Sequence, residues 1–183
     1  MTIEAGTGHA YRMTTPQFAV PPSGHHLAQV NVGRTVAPLD SPELADFVAQ
    51  LAEVNALAER SPGFVWRMVD EAGADATGLH PDEDDHLLQI NCSVWESVAA
   101  LRDFTYRSGH LRVLARRREW FQRSDGAHQA MWWVPIGHRP SVAEAMARIA
   151  AIRAHGPGPE AFTFREAGAT ALREAGPVPG GAG

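Results

Sequence analysis

Residues His26–Arg34 read HLAQVNVGR, and the alternation inside this stretch decides the fold. Side chains along a strand point to opposite faces in turn. Ala28, Val30 and Val32 form one list; Leu27, Gln29, Asn31 and Gly33 form the other. The stretch HLLQINCSVW (His86–Trp95) repeats the arrangement, with Leu88, Ile90, Cys92 and Val94 against Leu87, Gln89, Asn91, Ser93 and Trp95. Each strand therefore has a wholly apolar face and a mixed face. The mixed face carries neutral amides where a wetted face would carry Lys, Glu, Arg or Thr. The apolar lists are expected to face the helices, and the mixed lists to face away from them.

Working outward, the hydrophobic period switches between two and 3.6. DSPELADFVAQLAEVNALAER (Asp40–Arg60) follows the first strand. Asp40 and Glu43 are spaced as a capping box, with Pro42 in the first turn. Leu44, Phe47, Val48, Leu51, Val54 and Ala58 make an apolar stripe, so a helix is expected. Ser61–Gly63 stops it. FVWRMVD (Phe64–Asp70) reads as a second strand, and an acidic loop leads to the third at His86–Trp95. A long helix is expected from about Ser97 to Trp120. The fourth strand is Gln129–Ile136, and a last helix runs over roughly Ser141–His155. AFTF (Ala161–Phe164) is left as an edge strand or a surface segment.

The order β-α-β-β-α-β plus a C-terminal helix is the ferredoxin-like arrangement of an α+β protein. With both long helices on one face, the other face of the sheet would be bare. A second copy is the usual cover, which predicts a homodimer with a closed interior, a dimeric α/β barrel. The expected limits are a tail over 1–24, the barrel domain over 25–166, and an Ala/Gly/Pro-rich tail over 167–183, since neither end offers patterned apolar surface.

Composition narrows the function classes. The 183 residues make one domain that can bury a sizeable core without disulfide or metal. The single cysteine, Cys92, has no internal partner, which suits a reducing cytoplasm. A net charge of −5 argues against a general nucleic-acid binder. No apolar run approaches the ~18 residues of a membrane helix, so no membrane partner is expected. No basic start with an apolar stretch marks a secretory signal.

The segments LAQVNVGR, DFVAQLAEVNALAERSPGFVWR, NCSVWESVAALRDFTYRSGHLRVLARRREWF, MWWVPIGHRPSVAEAMARI and HGPGPEAFTF resemble a bacterial family known as domain of unknown function 3291. The resemblance spans about Leu27 to Phe164 and is most specific in YRSGH…RREWF and WWVPIGHRP. That family is similar to the dimeric α/β-barrel superfamily, which includes antibiotic-biosynthesis-type monooxygenases, haem-degrading enzymes, chlorite dismutases and aldoxime dehydratases. The resemblance implies the fold and a small-molecule pocket. It carries no reaction across, because fold does not fix function.

The candidate chemistry centres on FTYRSGHLRVLARRREWF (Phe104–Phe121). On a continuous helix Tyr106, His110, Val113 and Arg117 share one stripe. His110 is the candidate proton carrier or axial ligand, Tyr106 a donor one turn earlier, and Arg118 an inward-pointing anchor for a carboxylate or phenolate. Gln29, Asn31, Trp66, Gln89, Asn91, Trp120, Trp133 and His138 are expected around the ligand, with either Trp132 or Trp133 facing it. The amides could equally bond one another. Ser108-Gly109 marks a bend or a close approach. Cys92 falls on the apolar list and reads as inert core. HPDEDDH (His80–His86) lacks the ligand spacing of a calcium or zinc site, so no metal is predicted. The expected function is a small-molecule-binding enzyme, monooxygenase-like or a proton-transfer isomerase or cyclase, acting on a hydrophobic, oxygen-bearing metabolite without cofactor. The alternatives are a haem protein ligated by His110 or His138, and a non-catalytic binding module.

Overall fold

A computed structural model describes Phe18 and residues 20–168. The expected tails lie largely outside the described residues. Phe18 is an exception: its ring stacks on Phe162, with centroids 5.0 Å apart.

Four strands, β1 (His25–Arg34), β2 (Phe64–Arg67), β3 (Leu88–Trp95) and β4 (Gln129–Pro135), form one sheet in the order β2-β3-β1-β4. Each neighbouring pair is antiparallel. Helix α1 (Ala45–Glu59) connects β1 to β2, and α2 (Val98–Arg107), α3 (His110–Ala115) and α4 (Arg117–Trp120) connect β3 to β4. Helix α5 (Val142–His155) follows β4. This is the ferredoxin-like α+β topology expected. Among the described residues no helix is long and apolar enough to cross a membrane.

The assignment of faces is the main correction. The apolar lists pack under α5: Ala28, Val30, Val32, Ile90, Cys92, Val94, Ala130, Trp132 and Val134 share a core with Ala145, Ile149 and Ile152. The mixed lists lie under α1 and the α2–α4 arm. The C-terminal helix brings its own apolar stripe and covers the face expected to take the two long helices. With helices on both sides, no bare sheet face requires a second copy.

Local chemistry explains the remaining departures. The capping box does not form; Ser41 precedes a 3₁₀ turn at Pro42–Leu44, and no side chain caps either that turn or α1. Val48 falls outside the buried stripe, at 41% exposed. β2 is shorter than expected and carries a bulge between Phe64 and Trp66. The expected long helix is three pieces. Ser108 is extended, its hydroxyl donates to the Phe104 carbonyl, and its Oγ accepts from the His110 N–H at 3.1 Å. One serine thus serves the end of α2 and the start of α3, which a serine next to a glycine favours. Ala161–Phe164 is neither exposed nor a full strand. Met131 and Phe162 exchange both backbone hydrogen bonds, and Phe162 is completely buried.

Candidate functional site

The mixed sheet face is the floor of a cavity of about 390 Å³. Its cross-strand rows follow from the register. Arg67, Ser93 and Gln29 form one row, and Asn91, Asn31 and Gln129 the next. Gly33 and Gln89 close the floor at one end. The bulge in β2 decides which of two large side chains joins this floor. One extra residue flips the alternation, so Trp66 packs into the core under α5 and Arg67 enters the cavity. Phe47, Leu51 and Val54 of α1 form one wall. Phe104, Tyr106, His110, Val113, Arg117 and Trp120 of the α2–α4 arm form the roof.

Small and aromatic residues fix the corners. A Cβ at Gly33 would lie 2.8 Å from the Phe121 ring, so only glycine lets that ring seal the end. Phe47 packs edge-on against Phe121 at 5.2 Å and tilted against Trp120 at 5.6 Å. Arg116 ties the arm to α1 through Asp46 at 3.1 Å and pairs within the arm with Glu119 at 2.8 Å.

Two organised groups face the interior. The first is a stack. Trp95 lies on Phe104 (5.0 Å) and Phe104 on His110 (4.8 Å), with interplanar angles of 26° and 25°. The second is a hydrogen-bonded chain. Asn31 donates to Gln29 Oε1 at 2.7 Å, and Gln29 donates to Ser93 Oγ at 2.9 Å. Trp95 Nε1 also donates to Ser93 Oγ, at 2.9 Å. The serine oxygen accepts twice, which leaves its own proton free to donate. The amides thus bond within the wall and present a fixed polar edge.

Three lining residues hold a buried polar atom with no partner: His110 Nδ1, Gln89 Oε1 and Arg67 Nη1. Such atoms are uncommon in native proteins and call for an explanation. Arg67 is otherwise anchored, through Nε to Glu59 Oε1 at 2.8 Å and through Nη2 to the Ala74 carbonyl at 2.9 Å. Burial holds the His110 pKa below the ordinary imidazole value, against a smaller opposing pull from the Thr105 backbone. His128, also lining the cavity, is lowered first by burial and then by the charge of Arg117. Both imidazoles are therefore neutral at pH 7.

Of the residues expected around a ligand, the cavity brings together His110, Tyr106, Gln29, Asn31, Gln89, Asn91 and Trp120. Four lie elsewhere. Arg118 is exposed, and its neighbour Arg117, on the His110 stripe, lines the cavity instead. Trp66 is turned away by the bulge. Trp133 is on the cavity side of the sheet but packs on Phe162 at 6.1 Å. His138 Nε2 lies 2.7 Å from Glu144 Oε2, on the α5 side where Trp132 also reaches Glu144. Arg67, Ser93, Trp95, Phe104, Arg117, Phe121, His128 and Gln129 also line the cavity and were not among the residues expected to carry chemistry or touch the ligand. The mixed list already contained Ser93 and Trp95. Helical spacing places Arg117 on the His110 stripe, and Arg67 enters through the bulge.

Of the two histidines considered as haem ligands, only His110 lines the cavity. His138 is outside the cavity, the His110 ring lies flat on Phe104 with Nδ1 enclosed, and about 390 Å³ is near the lower end for ligand pockets.

The family described as "Domain of unknown function (DUF3291)" matches residues 26–175. The chain belongs to that family. No curated protein matches this DUF3291 sequence. Its fold is similar to three solved structures. SnoaB of Streptomyces nogalater, described as a cofactor-independent oxygenase, shares 18% identity over 63% of this chain and 95% of its own, with a TM-score of 0.42. PA3566 of Pseudomonas aeruginosa shares 18% identity over 63% and 95%, with a TM-score of 0.37. NE2512 of Nitrosomonas europaea, a protein of unknown function, shares 13% identity over 64% and 95%, with a TM-score of 0.39.

Proposed function

We propose that this DUF3291 protein binds a hydrophobic, oxygen-bearing small molecule in the cavity under α1 and the α2–α4 arm, and that His110 removes a proton from it. The observation that supports this reading is the position of His110. It is a desolvated imidazole on the aromatic wall of a cavity whose floor is a fixed edge of amides and a serine hydroxyl. A neutral imidazole is a competent base at pH 7, and proton transfer by a positioned group contributes roughly 10²–10⁴-fold. Trp95 and Phe104 supply flat apolar contact. Ser93 and the amides of Gln29 and Asn31 supply hydrogen bonds to the oxygens on which negative charge develops. Tyr106 lies on the same wall as His110 and is a second donor.

Return of the proton at another atom gives an isomerase or cyclase. Capture of the anion by dioxygen gives a monooxygenase-like reaction without a bound cofactor. A homodimer and a cytoplasmic setting belong to the same proposal. They rest on the superfamily resemblance and on the lone cysteine. The mass in solution tests the first.

Native mass spectrometry of the protein purified from its own host identifies the co-purifying small molecule. Incubation of that compound with the protein in D₂O should place deuterium on it, or consume oxygen, and His110→Ala should abolish both while leaving binding intact. Equal turnover by His110→Ala would overturn the assignment of the base. Binding without turnover in either protein would favour the non-catalytic module.

A further inference from the structure

The arginines of the described chain sort into two kinds. Those withdrawn from solvent have partners: Arg67 has Glu59, Arg102 has Asp103, Arg116 has Asp46 and Glu119, and Arg148 has the Glu160 carbonyl. Those without a protein partner, such as Arg112, Arg118 and Arg123, are exposed and solvated. Arg117 fits neither kind, although single atoms of the partnered group, Arg67 Nη1, Arg102 Nε and Arg148 Nε, are also buried without a partner. It is half-buried on the cavity roof and forms neither an ion pair nor a hydrogen bond. Its guanidinium carbon lies 5.8 Å from the centre of the Phe121 ring.

Withdrawing part of a charge from water without a protein partner is costly, and a charged group so placed in a cleft marks a candidate functional position. The surroundings agree. The only acidic side chain on the cavity wall among the described residues is Asp75, and its Oδ1 is occupied by the Thr77 N–H at 2.8 Å and hydroxyl at 2.6 Å. Arg117 is near His128, whose charged form it disfavours. Phe121 sits against Gly33, so this is the sealed end of the floor. Burial also holds the Arg117 pKa below the usual arginine value, as expected for a cation awaiting a counter-charge.

We propose that the ligand of this cavity is an anion, and that Arg117 binds its carboxylate. A guanidinium presents parallel N–H donors that match a carboxylate's two oxygens, so the group selects for charge and planarity together. The inference rests on the proposed ligand cavity and sharpens it. The substrate is an amphipathic acid whose flat apolar body lies along Trp95 and Phe104 and whose charged end lies at the Gly33–Phe121 end. Arg117 is a binding residue and takes no part in proton transfer.

Two measurements test this. The first uses quenching of tryptophan fluorescence by 2-naphthoate and by the isosteric, uncharged 2-naphthamide, since Trp95 and Trp120 line the cavity. The unmodified protein should bind naphthoate about tenfold or more tightly than naphthamide, the gain expected of a charged hydrogen bond. Arg117→Gln should erase the preference, and Arg118→Gln should keep it. The second is the thermal midpoint without ligand. Arg117→Met should leave it unchanged or raise it, because a partly desolvated charge is removed and no native bond is broken.

Equal binding of the two compounds by the unmodified protein, or a preference that survives in Arg117→Gln, overturns the proposal while the cavity reading stands. Failure of both compounds to bind sinks both together. A midpoint lowered by several degrees in Arg117→Met shows a structural role and overturns the ligand role.

Discussion

Gly63→Ala is a severe test of how the cavity roof is held. Gly63 lies between α1 and β2 with φ of +79°, and its carbonyl accepts the Glu96 N–H at 2.8 Å just before α2 begins. A left-handed backbone costs an L-residue about 1–2 kcal/mol. The new methyl would also sit 2.6 Å from Ala100 Cβ. Carbon atoms prefer about 3.5–4.0 Å, so α2 must retreat by about 1 Å, and such overpacking costs about 1–3 kcal/mol. Reduced freedom of the unfolded chain returns about 0.4–1 kcal/mol. The net loss is about 1–4.6 kcal/mol, with the mid-range near 3, a large share of the roughly 5–15 kcal/mol that holds a domain together. Gly73→Ala is the matched control, with φ of +78° and nothing within 4 Å of the added methyl. It should lose only the backbone part, about 1 kcal/mol. Urea unfolding measures both. Gly63→Ala should lower the midpoint by about 1–2 M with an unchanged slope, and ligand affinity should fall as the roof shifts. Equal losses in the two variants would refute the claim that Ala100 packs directly on this turn.

Three further outcomes are expected. Stability should fall as pH drops below about 6.5, because the unfolded chain takes up protons that the depressed native pKa values of His110 and His128 refuse. His110→Gln should flatten that slope between about pH 7.5 and 5.5, and an unchanged slope would contradict its burial. Cys92 is 1% exposed, and burial, with Glu144 adding to it, pushes its pKa up to about 12. The native protein should resist a thiol reagent at about pH 8 and react fully once unfolded, so rapid native labelling would place Cys92 elsewhere. Titration with haem should give no Soret band that His110→Ala removes; such a band would reinstate the porphyrin reading.

Much of the site was visible in the linear order of residues. Period-two alternation assigned Gln29, Asn31, Gln89, Asn91, Ser93 and Trp95 to one face, and the register confirms that they share it. Helical spacing put Tyr106, His110, Val113 and Arg117 together, and they all line the cavity although the helix breaks twice between them. Alternation left Trp66 or Arg67 open for the floor, and the bulge between Phe64 and Trp66, which a strand of four residues is too short to reveal by its period, decided for Arg67. Arg118 gave way to Arg117, the residue that helical spacing already places on the His110 stripe, and Arg116 beside it is tied to α1 through Asp46.

The sequence alone determined the order of strands and helices, the division of each strand into an apolar and an amide-bearing face, and the identity of His110 as the imidazole to watch. Those features are local, written in spacings of two to four residues. Which face each helix covers was decided only in three dimensions. α5 and the α2–α4 arm compete for the same sheet, and the outcome depends on which pair of surfaces buries more apolar area while still giving the amides partners. That choice moved the amides from the interior expected between two copies to the floor of a cavity within one chain.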